Sequence, residues 1–522
     1  NLFQSATNNF SDFISENEVG DAIIKIKSST GAGPDRIPGF IFKGCAEPLI
    51  SPLCHTFNLA LKTSVFPDCW KISRICPVFK SGDRNEGSNY RPISIINSLA
   101  KIFEIILCDR LSYFVKNYLA PEQHGFCSGR STITNLLSFY NEAISCSLQT
   151  DVIYFDFKKA FDLVDHSILI SKLYNNFDIP PYLILILKSY LADRLQFVKF
   201  NGCSSRTFTA TSGVPQGSHL GPLLFNCFIN DLPLFIKHSK PLLYADDLKI
   251  FRTISSSEDA DLLQNDVDSV VEWSSLNKSP INSRKCYVVS YRKGNVVSSE
   301  KIQHYNYLLH GSCINRSNII KDLGVLFEAN LSFSAHISDL VNKCSRTLGF
   351  VFRISKNFDN LTVYKLLYNS LVRSKLEYGA VIWRDINQTQ SNRLECVQKR
   401  FLRFLYFKTH NVYPHYRNHP VRSFELRAEF GYLRLQDRRD LSAYILIFKL
   451  LNNIIDSPCL LDLVTFRVPI RFTRQRNLFH YSTCAVIDGI LRDFNTKLED
   501  IDPFVLGLNA FKKAVLNVLV EG

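Results

Sequence analysis

The strongest constraint on the fold is a run of short apolar segments that alternate with helical patterns between residues 150 and 292. Segments rich in β-branched and aromatic residues predict strands, and apolar residues spaced three and four apart predict amphipathic helices between them. The predicted strands are 150–157, 196–200, 207–211, two short runs within 241–251, and 285–291; the predicted helices are 160–176, 181–191, 219–231 and 261–277. This order fits an α+β domain built on a small sheet.

Helical patterns dominate on both sides of this stretch. Toward the N-terminus they cover 39–63 and 97–117, with a strand-like segment at 74–80 and a polar loop at 81–89 between them. From residue 331 onward the pattern is largely helical. A chain of 522 residues is longer than one average domain, so several packed units are expected.

Charge favours a polyanionic partner. Lys and Arg number 61 against 48 Asp and Glu, a formal net charge of +13, which suits nucleic acid better than membrane. The longest apolar run, at 181–187, is far below the roughly 18 residues of a spanning helix, so no membrane partner is expected. Residues 391–450 carry twelve Lys and Arg against five Asp and Glu, with interleaved aromatics as in Arg400-Phe401-Leu402-Arg403-Phe404. This pattern favours contact with phosphates and exposed bases; the alternative is a solvated helical face.

Three acidic residues fall where predicted strands end. Asp156 ends an apolar strand, and Asp246 and Asp247 lie together at the tip of a hairpin between two apolar runs. Adjacent carboxylates repel one another, and a divalent cation with oxygen ligands, such as Mg²⁺, would relieve that repulsion. Three carboxylates could hold two ions about 3.5–4 Å apart for a phosphoryl displacement. An ordinary acidic turn would be the better interpretation if Tyr244-Ala245-Asp246-Asp247 stood alone.

Seven segments follow one another along the chain: GAGPDRIPGFIFK (31–43), PVFKSGDRNEGSNYRPISIINSLAKIFEIIL (77–107), QHGFCSGRST (123–132), YFDFKKAFDLVDH (154–166), GVPQGSHLGPLLFNCFINDL (213–232), YADD (244–247) and DLGV (322–325). Their order resembles the reverse transcriptases of non-LTR (LINE-type) retrotransposons, most closely the insect jockey-like group. The helical region 340–405 is also similar to that group. The resemblance implies an α+β, right-hand polymerase fold with fingers, palm and thumb and a mostly helical C-terminal region.

The resemblance divides the chain into five expected regions. They are an N-terminal extension (1–35), fingers (36–135), a palm with part of the fingers interleaved (136–295), a primer grip and thumb (296–400), and a basic helical C-terminal region (401–522). The endonuclease domain that members of this group usually carry before the polymerase is expected to be missing from this chain.

The resemblance also implies roles for individual residues. Asp156, Asp246 and Asp247 would be catalytic and would bind two Mg²⁺ ions, which Mn²⁺ could replace. The nucleotide-binding residues would be Lys80, Arg91, Phe157, Phe161, Gln216 and Gly217. Phe161 matches the aromatic that lies beneath the incoming sugar and blocks a ribose 2′-hydroxyl, and Lys285 would donate a proton to pyrophosphate. The primer grip would be Leu323, Gly324 and Val325. Independently of the resemblance, helical geometry directs Asp162 and Asp165 away from Asp156, so capping or surface roles are expected for both.

The implied activity is that of an RNA-directed DNA polymerase that copies RNA from a DNA 3′ end, as in target-primed reverse transcription. The implied partners are an RNA template, a DNA primer or nicked target DNA, and deoxynucleoside triphosphates. The implied workplace is the nucleus, with a cytoplasmic ribonucleoprotein stage. Two alternatives remain: a catalytically inactive RNA-binding remnant, and an RNA-directed RNA polymerase, against which the bulky Phe161 argues.

A zinc site is a weaker hypothesis. Cys396, His410, His415 and His419 have spacings within loose ligand range but match no standard zinc pattern.

Overall fold

In a computed structural model of the chain, the strands predicted between residues 150 and 292 form the centre of the molecule. The structure describes residues 13–28, 31–145, 148–292, 305–414, 421–467, 478–481 and 486–521. Its strands are β1 (Ser73–Phe79), β2 (Tyr90–Ile96), β3 (Gln149–Phe155), β4 (Arg194–Phe200), β5 (Cys203–Ser204), β6 (Phe208–Ala210), β7 (Lys240–Tyr244), β8 (Asp247–Ile254), β9 (Tyr287–Tyr291), β10 (Leu308–Leu309), β11 (Ser312–Cys313), β12 (Asn315–Arg316), β13 (Ile319–Asp322), β14 (Val325–Glu328), β15 (Thr465–Phe466) and β16 (Phe479–His480).

Helices surround these strands. They are α1 (Glu16–Lys25), α2 (Gly39–Gly44), α3 (Ala46–Thr63), α4 (Asp68–Lys71), α5 (Ser98–Val115), α6 (Thr132–Ser145), α7 (His166–Asn176), α8 (Pro181–Leu191), α9 (Leu220–Ile229), α10 (Leu232–Phe235), α11 (Ser257–Leu276), α12 (Ser334–Ile354), α13 (Leu361–Tyr368), α14 (Ser374–Glu377), α15 (Gln388–His410), α16 (Ser423–Phe430), α17 (Leu435–Leu451), α18 (Pro458–Leu461), α19 (Val486–Lys497) and α20 (Leu508–Glu521). The predicted α+β class is confirmed.

The central sheet has the strand order β12-β9-β3-β8-β7. Strand β3 lies in the middle, antiparallel to both β8 and β9, and all seven of its residues are buried. Phe155 of β3 pairs with Leu248 of β8. Because the two strands are antiparallel, Asp156, which follows Phe155, lies beside Asp247, which precedes Leu248. The pairing register therefore brings two of the predicted carboxylates to one edge of the sheet.

A second sheet stands beside the first. Strand β1 pairs antiparallel with β2 and parallel with β4, and β5 and β6 both pair with β4. The chain turns at Asn201-Gly202 between β4 and β5, because Phe200 pairs with Cys203, and the predicted strand at 207–211 forms β6, which pairs with the start of β4. The polar loop after β1 returns the chain to β2, so Lys80 and Arg91 lie at the same end of this sheet.

Strand β3 contributes to two apolar cores, because successive side chains of a strand point to opposite faces. Ile153 and Phe155 pack with helices from the first part of the chain, including α1, α3, α5 and α8. Val152 and Tyr154 pack in the other core, with α6 and with helices from α12 to α20. The helices that follow residue 330 therefore share a core with the central sheet.

One predicted helix begins later than its pattern indicates. The prediction of a helix over 160–176 is wrong for 160–165, since α7 begins at His166. The main-chain carbonyls of Phe161 and Val164 accept hydrogen bonds from Val214 and Gly213, at 2.9 and 2.8 Å, instead of continuing a helix. This tertiary pairing overrides the local apolar spacing.

The expected capping role is confirmed for Asp165 and wrong for Asp162. The Asp165 carboxylate caps α7 by accepting from the main-chain nitrogen of Ile168 at 3.1 Å. The Asp162 carboxylate accepts from the side-chain amide of Gln216 at 2.8 Å. Asp162 therefore lies among the predicted site residues.

Within the described ranges, no helix combines the length and the apolar character that crossing a membrane requires.

A buried ion pair joins the central sheet to the β13–β14 hairpin. Lys249 Nζ lies 2.5 Å from Asp322 Oδ2, and the two side chains are only 4% and 8% exposed. Removing one partner would leave the other charge buried without compensation, which typically costs 3–5 kcal/mol, whereas replacing both by apolar residues is often neutral.

We therefore expect Lys249→Met to lower the free energy of unfolding by about 3–5 kcal/mol, measured by urea unfolding. The double variant Lys249→Met/Asp322→Leu should recover most of that loss. The exposed pair Lys343–Asp339 serves as the control, and Lys343→Met should change stability by less than about 1 kcal/mol. A double variant no more stable than Lys249→Met would contradict the account.

Candidate active site

The three predicted carboxylates influence one another at the edge of the central sheet. Burial raises the pKa of Asp246, and the neighbouring Asp156 carboxylate raises it further. Burial raises the pKa of Asp247 to about 6, with added repulsion from Asp246, Asp322 and Asp156. The Asp247 side chain is exposed to solvent, so this burial reflects the walls of a cleft, which reduce hydration without excluding water. Burial and mutual repulsion thus both oppose ionisation of Asp246 and Asp247.

The chemistry of this donor set fits a divalent metal ion. Among the described residues, no group of three or more His, Cys, Asp and Glu side chains is arranged to hold a metal by itself. Mg²⁺, however, is commonly bound by one or two carboxylates and completes its shell with water and substrate phosphate oxygens. Asp156, Asp246 and Asp247 are the residues that could supply those carboxylates.

A cleft of about 1450 Å³ runs between the two sheets in front of the carboxylates. Of the ten residues predicted to be catalytic or nucleotide-binding, all except Asp247 line it: Lys80, Arg91, Asp156, Phe157, Phe161, Gln216, Gly217, Asp246 and Lys285. Asp247 lines an adjoining cleft of about 580 Å³, together with Asp156, Lys285 and Leu323. Residues from distant parts of the sequence therefore converge on one region.

Positive charge reaches the carboxylates from the second sheet. Lys80 and Arg91 are both exposed, and their charges act to lower the pKa of Asp246 against the effect of its burial. Cations of the second sheet thus face the acidic groups across the cleft.

Phe161 forms part of the apolar floor of the cleft. Its ring stacks on Phe225 of α9 with centroids 4.3 Å apart and an interplanar angle of 18°. Phe126 meets it edge-on at 6.2 Å. Phe161 is half-buried, so one side of a well-supported ring remains available to the cleft.

Phe157 occupies a different environment from the one implied for a nucleotide-binding side chain. It is only 5% exposed and packs edge-on against Trp273, with centroids 5.9 Å apart. We therefore expect its main chain, and not its ring, to contact a ligand.

The Gln216-Gly217 loop is fixed to the second sheet. The Gln216 carbonyl accepts from Ser94 N of β2 at 2.7 Å. Gly217 has φ +121°, and a Cβ atom there would lie 2.5 Å from the Ser94 carbonyl oxygen. Glycine is required at position 217 because the main chain approaches β2 too closely to leave room for a side chain.

Asn282 is a site residue that sequence reasoning missed. Its side-chain amide donates to Asp156 Oδ2 at 3.1 Å, and its main-chain nitrogen donates to the Asp156 carbonyl at 2.7 Å. Lys285 Nζ lies 3.9 Å from the same carboxylate oxygen. A lone Asn before a strand carries no sequence signal that separates this role from an ordinary turn.

The predicted primer-grip residues form the β13–β14 turn. Leu323 has φ +41° and Gly324 φ +94°, and Tyr378 donates a hydrogen bond to the Leu323 carbonyl at 2.7 Å. Leu323 lines the smaller cleft, whereas Val325 is fully buried in the core. We therefore expect Val325 to support the turn and not to contact a bound strand.

Two of the interleaved aromatics of the basic segment, Phe401 and Phe404, are structural, whereas Phe407, Tyr413 and Phe424 are 40%, 53% and 56% exposed. Phe401 stacks on Tyr368 at 3.9 Å and Phe404 stacks on Phe352 at 4.3 Å, so the prediction that these rings offer surfaces to exposed bases is wrong. They occupy the inner face of α15, where their spacing serves helix packing.

Several cations of the basic segment are also engaged within the fold. Arg427 pairs with Glu395, Arg434 with Asp437, and Arg438 with Glu377. In contrast, Arg393 and Arg400 of α15 are exposed.

The zinc hypothesis is wrong for the two ligands that can be placed. Cys396 and His410 both lie on α15, where fourteen residues separate them by about 21 Å. His410 Nε2 instead lies 2.8 Å from a Glu429 carboxylate oxygen. His415 and His419 lie outside the described residues. So does most of 467–476, a second basic stretch that contains four Arg and no acidic residue.

The fold and the site together define a class of protein. Clustered carboxylates that could accept a divalent metal face cations across a cleft of nucleotide size, which suits chemistry on phosphate-bearing ligands.

The chain belongs to the reverse transcriptase family. Residues 82–351 match the family described as reverse transcriptase (RNA-dependent DNA polymerase), which confirms the resemblance found in the sequence motifs.

Three curated relatives come from Drosophila melanogaster. The chain is 27% identical over 409 residues to the probable RNA-directed DNA polymerase from transposon X-element, covering 74% of this chain and 43% of that protein. It is 28% identical to the probable RNA-directed DNA polymerase from transposon BS, covering 74% of this chain and 44% of that protein. It is also 28% identical to the RNA-directed DNA polymerase from mobile element jockey, covering 74% of this chain and 43% of that protein. The chain thus spans less than half the length of these relatives.

Gly217 supplies a test of the contact between the loop and β2. We expect Gly217→Ala to lower the free energy of unfolding by about 2–3 kcal/mol, because a positive φ and a clash with a main-chain carbonyl act together. Gly202→Ala is the matched control: φ is +82° there, but nothing lies within 4 Å of the added Cβ, so a loss of about 1 kcal/mol is expected. Equal losses in urea unfolding for the two variants would show that the contact with Ser94 is unimportant.

Proposed function

We propose that this chain is an RNA-directed DNA polymerase of a non-LTR retrotransposon, which copies RNA into DNA from a DNA 3′ end. The observation that carries the proposal is the convergence of Asp156 and Asp246 with Lys80, Arg91 and Gln216 on one cleft. Membership of the reverse transcriptase family supports it.

Each residue of the cleft has a role that suits the chemistry of its side chain. Lys80 and Arg91 bind the triphosphate of the incoming deoxynucleotide and neutralise charge that spreads over its phosphates. Phe161 supports the sugar, and Gln216, whose side chain Asp162 holds at 2.8 Å, orients the nucleotide against the template. Lys285, an exposed cation beside Asp156, holds the proton that pyrophosphate receives.

Asp156, Asp246 and Asp247 would hold Mg²⁺, two ions in the proposed arrangement, with Mn²⁺ as a substitute. When bound, the metal supplies activation of the attacking oxygen and stabilisation of the leaving oxygen. Asn282 fixes the orientation of the Asp156 carboxylate through its amide.

The remaining substrates and regions follow from the same proposal. The partners are an RNA template, a DNA primer or nicked target DNA, and deoxynucleoside triphosphates. Residues 36–135 are proposed as fingers, 136–295 as palm, 296–400 as primer grip and thumb, and 401–522 as a basic C-terminal region after the N-terminal extension of 1–35. The proposed cellular location is the nucleus, with a cytoplasmic ribonucleoprotein stage.

Primer extension on an RNA template tests the function directly. The unmutated chain should extend a DNA primer with deoxynucleotides, and Asp247→Asn should reduce the rate by at least a hundredfold, because it removes a charge and a ligand. RNA affinity, measured in the same preparation, should remain within about threefold. Asp268→Asn, on the outer helix α11, is the control and should keep the unmutated rate. RNA binding without extension by the unmutated chain would instead support the inactive remnant.

Phe161 distinguishes a DNA-making from an RNA-making polymerase. Phe161→Val opens space where a 2′-hydroxyl would fit while keeping an apolar surface, so ribonucleotide incorporation should rise at least about tenfold, equivalent to about 1.4 kcal/mol. Phe161→Tyr should keep the preference for deoxynucleotides. Competition between the two nucleotide types on one template measures the effect. A preference for ribonucleotides in the unmutated chain would overturn the proposed function itself.

A further inference from the structure

The turn that presents Asp246 and Asp247 contains a residue in an unfavourable conformation. Ala245 has φ +56° and is only 5% exposed. The left-handed region is uncommon for residues other than glycine and persists only where the surroundings hold it.

The side chain of Gln123 holds this residue on both sides. Its Oε1 accepts from Ala245 N at 2.8 Å, and its Nε2 donates to the Ala245 carbonyl at 3.2 Å. The same Oε1 accepts from Gly125 N at 2.8 Å. Gln123 is 2% exposed, so water is a poor substitute for these contacts. We call this arrangement the Gln123 clamp.

Residues 122–125, which contain Gln123, lie along the side of β7 that does not pair with β8. Leu243 N donates to the Glu122 carbonyl, and His124 N donates to the Leu243 carbonyl, both at 2.9 Å. A Cβ atom on Gly125 would lie 2.3 Å from Ala245 N, so only glycine permits this approach. Main-chain hydrogen bonds to Leu243 and side-chain hydrogen bonds from Gln123 thus both hold residues 122–125 against the turn that carries Asp246 and Asp247.

The segment is itself anchored from two directions. The Arg130 guanidinium donates to the Gln123 carbonyl at 2.8 Å and forms an ion pair with Asp456 at 3.1 Å. From α9, Asn226 donates to the Gly125 carbonyl at 2.8 Å. The clamp therefore connects the turn to α9 and to the C-terminal helices.

We propose that Gln123 is a positioning residue of the polymerase: it keeps Ala245 in the left-handed conformation, so that Asp246 and Asp247 face the clefts. This inference rests on the proposed function. Without the clamp, Ala245 would relax to an ordinary conformation and the carboxylates would move. A displacement of about 1 Å at a reacting centre can cost a hundredfold in rate.

The decisive variant is Gln123→Met, which keeps the length and volume of the side chain but removes both hydrogen bonds to Ala245. We expect kcat for primer extension to fall about a hundredfold, while KM for deoxynucleotides stays within threefold. Hydrogen exchange of the peptide containing Ala245 should accelerate at least tenfold, because its N–H loses its acceptor.

The chain offers a matched control. Asn495 of α19 is 3% exposed and grips both polar groups of Phe479 in the same way, accepting from its nitrogen at 3.0 Å and donating to its carbonyl at 2.8 Å. Asn495→Leu should lower Tm about as much as Gln123→Met, with kcat within twofold of the unmutated chain and unchanged exchange at the catalytic turn.

The possible outcomes distinguish a failure of the proposed function from a failure of the positioning role. An unmutated chain that fails to extend primers overturns the proposed function and, with it, the catalytic role of Gln123. Active unmutated protein with Gln123→Met within threefold in kcat, or with unchanged exchange at Ala245, overturns the positioning role alone. If Gln123→Met does not fold, Gln123→Asn applies the same criteria, since it keeps a buried amide but withdraws it by one methylene.

Discussion

Mutual repulsion among Asp156, Asp246 and Asp247 is the constraint on which the rest of the structure depends. Like charges in a poorly hydrated cleft would separate if the backbone allowed it. The pairing of β3 with β8 prevents this, because it fixes Asp156 and Asp247 at one edge of the sheet. Burial in the cleft raises the pKa of Asp246 and Asp247, and the repulsion between the carboxylates raises it further.

The supporting contacts come from parts of the chain that are distant in sequence. Asn282 orients one carboxylate and Gln123 holds the turn that carries the other two. The buried Lys249–Asp322 pair secures the neighbouring β13–β14 turn to the same sheet. Each of these contacts involves a buried or half-buried polar side chain with a defined hydrogen-bond or ion-pair partner. Polar contacts as well as apolar packing therefore stabilise the arrangement of the three carboxylates.

Periodicity was sufficient to predict the elements with strong local patterns. Helix α8 begins and ends where the apolar spacing predicts, and β3 differs by one or two residues. Prediction failed where tertiary contacts decide: residues 160–165 pair with 213–214 instead of forming helix, and the rings of Phe401 and Phe404 pack inward. The motif order indicated carboxylates and cations that the structure brings together around two adjoining clefts. It could not identify Asn282 or explain Gln123, because their roles arise from partners more than a hundred residues away.

The two-sided burial of β3 has a consequence for synthesis on the ribosome. Elements before residue 320 can cover the face of the sheet that carries Ile153 and Phe155. The face that carries Val152 and Tyr154 is completed by β14, α12 and the helices after them, with α6 as its earlier described helical partner. A nascent chain that has emerged only through β9 would therefore present part of an apolar sheet surface until β14 and α12 have followed it. We expect that surface to be the one that molecular chaperones bind during translation.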